Sequence, residues 1–183
     1  MDVVKRPKIT ARQWARVRLF AMDVDGVLTD GTVCIASDGT ESKRFSITDG
    51  LGLVLLRKCG VELAWISGRR SAATALRASE LKVAHVIEGR HDKLAVLGEL
   101  SKRLGIPLRD CAYMGDDIVD APAIAAAGIG ISVPTALPEA LAAAGYVTRR
   151  QAGRGAVREV CDIILRVRPK AGGNIRSLAR TLP

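Results

Sequence analysis

The chain has 183 residues, 48% of them hydrophobic but only 3% aromatic, which suits one domain with a core of Val, Ile, Leu and Ala. No stretch approaches the roughly 18 apolar residues of a membrane span. The four cysteines, Cys34, Cys59, Cys111 and Cys161, form no CxxC pair, which argues for reduced thiols and against a zinc site. The net charge of +9 suits either nucleic acid or a multiply anionic small molecule. The basic residues are spread out and no aromatic-bearing RNA-binding signature accompanies them, so nucleic acid is disfavoured. MDVVKRPKIT has no apolar signal-peptide core, and a cytoplasmic protein is expected.

In chain order, a short basic helix is expected to end near Trp14–Val17, followed by a buried strand at Val17–Met22 that stops at Asp23-Val-Asp-Gly26. Thr32–Ala36 and Glu41–Ile47 flank Asp38-Gly39, a strong hairpin signal. Asp49-Gly50 then precedes a helix at Leu51–Lys58. Strands at Val61–Ile66, Val83–Ile87, Cys111–Met114, Gly128–Ile131 and Tyr146–Thr148 alternate with helices at Ser71–Ser79, Lys93–Leu104, Val119–Ala126, Pro138–Ala143 and Ala156–Arg166. Repeated βα units of this length predict an α/β fold: a Rossmann-like, doubly wound parallel sheet with a hairpin (about 31–47) after its first strand. Residues 1–168 would form one domain, and Arg168–Pro183, with Pro and Gly-Gly, reads as a flexible tail.

Four polar clusters follow four of these strands: Asp23/Asp25, Ser67, Lys93, and Asp116/Asp117/Asp120. In a parallel sheet those strand ends share one edge, where open α/β sheets place their ligands. Clustered carboxylates raise one another's pKa, and a divalent cation relieves this; oxygen donors suit Mg²⁺. A carboxylate facing phosphorus can act as a nucleophile. A second carboxylate two residues on can move the protons. Ser67 and the N–H groups after it can hold phosphate oxygens, and Lys93 can offset the charge of a phosphoryl group in transfer.

In this order, Asp23-Val-Asp-Gly-Val27, Ile66-Ser67-Gly68, Lys93 and Gly115-Asp-Asp-Ile-Val-Asp120 resemble the four motifs of the haloacid-dehalogenase-like hydrolases over residues ~17–165. A response-regulator receiver has a similar pocket, but there the lysine comes last. The resemblance implies a phosphatase with Asp23 as nucleophile and metal ligand, Asp25 as general acid/base with its carbonyl on Mg²⁺, and Asp116 as third metal ligand. Asp117 and Asp120 would act through water or as support, or Asp120 would cap a helix.

No segment is long enough for a cap domain, so the resemblance is to the capless, sugar-acid phosphatases of that superfamily. It implies a homotetramer in which the C-terminal tail, with Lys170, Arg176 and Arg180, closes a neighbour's site. Arg69 would read a substrate carboxylate, favouring 3-deoxy-D-manno-octulosonate 8-phosphate over a related nonulosonate 9-phosphate. Arg77 would be a second contact, and Thr48, Asp49 and Gly50 would lie beneath the sugar. One departure stands out: relatives carry a basic residue near Val54, whereas Leu53–Leu56 is apolar here and the basic residue is Arg57. The reading from another class is an idle, anion-binding oligomer.

Overall fold

The computed structural model describes residues 9–168. Helix α1 (Ala11–Ala15) opens with a reciprocal capping box between Thr10 and Gln13. It leads into strand β1 (Leu19–Met22), buried at every position. The hairpin is β2 (Cys34–Ile35) and β3 (Glu41–Ser42), paired antiparallel. Its turn places Gly39 at φ +86°, a region that favours glycine. Then follow α2 (Ile47–Lys58), β4 (Glu62–Ser67), α3 (Ala72–Leu81), β5 (His85–Glu88), α4 (Lys93–Leu104), β6 (Cys111–Met114), α5 (Ala121–Ala126), β7 (Ile129–Ser132), α6 (Pro138–Ala143), β8 (Tyr146–Val147) and α7 (Ala156–Val167).

The six strands other than the hairpin pair in parallel, in the order β5-β4-β1-β6-β7-β8. Side chains on β1 alternate between the two faces. Phe20 and Met22 enter one apolar cluster with Leu53, Trp65 and Ile164. Leu19 and Ala21 enter the other with Leu97, Tyr113 and Ile124. The sheet is therefore covered on both faces, as parallel sheets require. The chain winds from β1 outward to β5, then returns to β1's other side at β6. That reversal opens a crevice beyond the carboxyl ends of β1, β4 and β6.

Two boundaries differ from expectation for a physical reason. The second hairpin strand stops at Ser42 rather than Ile47, and α2 begins at Ile47 rather than Leu51. Ser46 is the cause: its hydroxyl accepts the Asp49 N–H at 3.3 Å and caps the helix. Thr48, Asp49 and Gly50 therefore form the first turn of a helix, not a loop. The expected first helix lies partly, and the C-terminal tail from residue 169 wholly, outside the described residues. No helix among the described residues is long and apolar enough to cross a membrane.

Candidate active site

Asp23 immediately follows β1, and its N–H bonds to the Met114 carbonyl at 2.9 Å. Ser67 ends β4, Lys93 opens α4, and Asp116 lies just beyond β6. These residues meet at the crevice. Asp23, Asp25, Ser67, Arg69 and Lys93 line one pocket of about 140 Å³, together with His91, Asp117 and Asp120. Lys93 is 1% exposed. Its ammonium donates to Asp23 Oδ1 and the Ile66 carbonyl, and lies 3.8 Å from Asp120. A lone buried ammonium would cost several kcal/mol, so these oxygens are what hold it there. Ser67 Oγ accepts the Arg69 N–H at 3.1 Å.

The carboxylates carry more negative charge than Lys93 neutralises. Burial, against the pull of Lys93, pushes Asp23 up to about 7. Burial and then Asp23 push Asp116 up to about 8. Asp116 Oδ1 is buried and has no hydrogen-bond partner among the described residues. Asp23, Asp116 and Asp120 each bring a carboxylate oxygen within 4.8 Å of the others. The side of the cluster beside Asp116 is kept open by Gly26, where a Cβ would stand 2.1 Å from Asp116 Oδ2. Hard oxygens, an orphaned acceptor and excess negative charge fit Mg²⁺.

Asp120 belongs to the cluster by distance but not by availability. Its Oδ1 accepts the Tyr113 hydroxyl at 2.7 Å. Its Oδ2 accepts the N–H groups of Asp116 and Asp117, each at 3.1 Å. Asp120 occupies the N-cap position of α5 without a side-chain cap bond. It braces the Asp116 loop and does not cap the helix.

The chain is similar to proteins of known name. The model of the haloacid dehalogenase-like hydrolases matches residues 65–160. A 3-deoxy-D-manno-octulosonate 8-phosphate phosphatase of Yersinia pestis is 42% identical over 94% of this chain and 88% of its own. The crystal structure of the Moraxella catarrhalis enzyme of that name, in complex with magnesium, phosphate and KDO, is 46% identical with a TM-score of 0.87, covering 93% of this chain and 96% of that one. A cobalt-bound Haemophilus influenzae phosphatase of the same kind is 34% identical with a TM-score of 0.81, covering 85% and 91%.

This chain belongs to the 3-deoxy-D-manno-octulosonate 8-phosphate phosphatase family of the haloacid dehalogenase-like hydrolases.

Four residues expected to touch substrate, Thr48, Asp49, Gly50 and Arg77, do not line the pocket. Asp49 is 1% exposed and accepts the N–H groups of Gly155 at 3.1 Å and Arg158 at 2.7 Å. It ties α2 to the start of α7 rather than facing the pocket. Gly50 packs on Arg77, whose guanidinium would be 2.3 Å from a Cβ there. Arg77 itself reaches Glu80 at 2.7 Å and the Ser46 carbonyl at 3.4 Å, so it braces the α2 start. Thr48 is exposed and bonds Ser46 Oγ at 2.8 Å. Val54 packs against the core, which explains why this helix carries an apolar residue there. Two residues missed by sequence reasoning are Lys43, which reaches Asp25, and His91, a pocket wall against Gly68. An isolated hairpin lysine gives no signal in a sequence.

Proposed function

We propose that this protein is a magnesium-dependent phosphatase that hydrolyses 3-deoxy-D-manno-octulosonate 8-phosphate to the free sugar acid and phosphate, a step of lipopolysaccharide biosynthesis. The carrying observation is the convergence of Asp23, Lys93 and an orphaned Asp116 oxygen on one crevice, in a chain of that family.

Asp23, Asp116 and the Asp25 carbonyl would hold Mg²⁺, which when bound would neutralise carboxylates and substrate phosphate oxygens. Asp23 attacks phosphorus, forming an aspartyl-phosphate as the sugar–oxygen bond to phosphorus breaks. Asp25 protonates the departing sugar oxygen. Asp25 then takes a proton from water as that water attacks phosphorus, releasing phosphate and regenerating Asp23. Lys93 holds Asp23 in the attacking position, and the Ser67 hydroxyl with the N–H groups beyond it holds the phosphate. Arg69, at the pocket mouth, reads the sugar carboxylate.

The chain works as one domain of residues 1–168 and as a cytoplasmic homotetramer. Exposed Ile35 and Ile47, at 69% and 82%, support association through the hairpin region. The tail residues Lys170, Arg176 and Arg180 close a neighbour's site on this reading. A panel of sugar phosphates with Mg²⁺ tests the substrate: octulosonate 8-phosphate should have the highest kcat/KM, and EDTA should abolish turnover. Faster turnover of a nonulosonate 9-phosphate would replace the substrate but not the chemistry. An Asp23→Asn variant that stayed active would sink the phosphatase reading in favour of an idle anion-binding protein.

A further inference from the structure

The return arm of the hairpin brings two charged side chains to the site: Glu41 of β3 and Lys43 just after it, their charged ends 4.0 Å apart. The Lys43 side chain is wholly buried. Its ammonium donates to Asp25 Oδ2 at 2.9 Å and to Thr74 Oγ1 at 3.4 Å. Asp25 Oδ1 stands 2.7 Å from the same ammonium without hydrogen-bond alignment. The Asp25 carboxylate therefore has Lys43 as its one side-chain partner among the described residues. Glu41 does the matching job for Arg69. Its Oε2 accepts from Arg69 at 2.9 Å, and its Oε1 accepts the Ser71 hydroxyl at 2.6 Å. Ser71, then Arg69, hold the Glu41 carboxyl below the usual carboxylate range, so it stays ionised. Phe45, from the same segment, stacks on Trp65 of β4 with ring centres 6.2 Å apart. That stack fixes the segment to the core.

We propose that the hairpin's return arm, β3 and Lys43 just after it, is the positioning element of this active site: Lys43 orients the Asp25 carboxylate toward the leaving group, and Glu41 orients Arg69 toward the substrate carboxylate. The inference rests on the phosphatase reading above. Its physical basis is that a carboxylate or guanidinium on a flexible stem does useful work only when a second group fixes its rotamer. Neither Lys43 nor Glu41 needs to touch substrate. Lys43 acts through Asp25 both on protonation of the leaving oxygen, which p-nitrophenolate needs little, and on activation of the attacking water, the step common to every phosphomonoester. Glu41 also holds Ser71 and lies 4.0 Å from the Lys43 ammonium, but Arg69 is its one partner at the pocket mouth, so its effect should be larger on a substrate that carries a carboxylate.

The test is steady-state kinetics of the full chain with Mg²⁺ on two substrates, octulosonate 8-phosphate and carboxylate-free p-nitrophenyl phosphate. Lys43→Met should lower kcat on both by about 10- to 100-fold, with KM moved less than about threefold. Lys43→Arg, which keeps a cation, should recover much of that loss. Glu41→Gln should raise KM for octulosonate 8-phosphate about tenfold more than for p-nitrophenyl phosphate. A Lys43→Met enzyme with wild-type kcat, or Glu41→Gln shifting both substrates equally, overturns the proposal. If thermal melts show Lys43→Met unfolded, Lys43→Arg and Glu41→Gln decide, and wild-type kinetics in both also overturns it. Wild-type enzyme inactive on octulosonate 8-phosphate but active on p-nitrophenyl phosphate would refute the substrate alone and leave Lys43 testable.

Discussion

Asp120 Oδ2 accepts the Asp116 N–H at 3.1 Å while Asp116 Oδ1 is left buried without a partner among the described residues. One aspartate is fully engaged so that its neighbour can be held ready. Asp120→Asn exchanges one carboxylate oxygen for an NH₂. It must either lose the two loop N–H bonds or reverse the Tyr113 bond, with the hydroxyl accepting from the amide, and in both cases the negative charge is gone. The expected outcome is a Mg²⁺ affinity or kcat reduced by about 10- to 100-fold in a folded protein. Mg²⁺ titration of activity, checked against wild type, measures it.

The metal-free site is unstable by construction. Folding raises Asp23 from 3.8 to about 7 and Asp116 from 3.8 to about 8. Both groups hold their protons more tightly when folded. Their contribution to stability is therefore present below about pH 4 and is lost as pH rises through 7 to 8. In EDTA the melting temperature should fall between pH 5 and pH 8.5. Asp116→Asn should flatten that fall and melt higher than wild type at pH 8.5, while losing the rise that Mg²⁺ gives wild type. Thermal melts of both proteins across pH, with EDTA and with Mg²⁺, check the sign.

Lys93 serves charge as well as placement. It is the buried cation bonded to Asp23, and it opens α4 beside the pocket. Lys93→Met keeps the stem and removes the charge. A kcat loss of roughly 10²–10³-fold is expected, the scale of removing one preorganised donor. Single-turnover rates at saturating Mg²⁺ should show the loss in chemistry rather than in binding.

Much of this arrangement was legible because three strands pass abruptly from apolar residues to polar ones. Met22 to Asp23, Ile66 to Ser67 and Met114 to Asp116 mark both the strand ends and the chemistry. What was not legible depended on distant contacts. Asp49-Gly50 reads as a turn, yet Asp49 is buried because Gly155 and Arg158, more than 100 residues on, supply its N–H donors. Arg77 reads as a candidate anion contact on a helix, but Ser46 and Glu80 claim it. Lys43 reads as an ordinary hairpin-edge charge; only the fold of the hairpin over β4 brings it to Asp25.

Asp49 accordingly supports the α2–α7 contact. Asp49→Ala would leave the N–H groups of Gly155 and Arg158 without their acceptor, at about 1–3 kcal/mol each. A stability loss of roughly 2–4 kcal/mol is expected, with KM changed less than about threefold at a temperature where the variant is folded. Urea unfolding and substrate titration separate the two. A large KM increase at unchanged stability would instead return Asp49 to the substrate.

On the proposed function, substrate choice turns on Arg69. Its guanidinium is about half exposed and paired to Glu41 at 2.9 Å, leaving other N–H groups free toward the pocket. Arg69→Glu removes the carboxylate reader and sets two negative charges against each other. The substrate's own carboxylate would then meet repulsion where it met attraction. A drop in kcat/KM for octulosonate 8-phosphate of about 100-fold is expected, against less than about tenfold for p-nitrophenyl phosphate, and preference should move toward a nonulosonate 9-phosphate. Competition between the two sugar acid phosphates gives the ratio in one experiment. A ratio unchanged from wild type would show that Arg69 does not read the substrate.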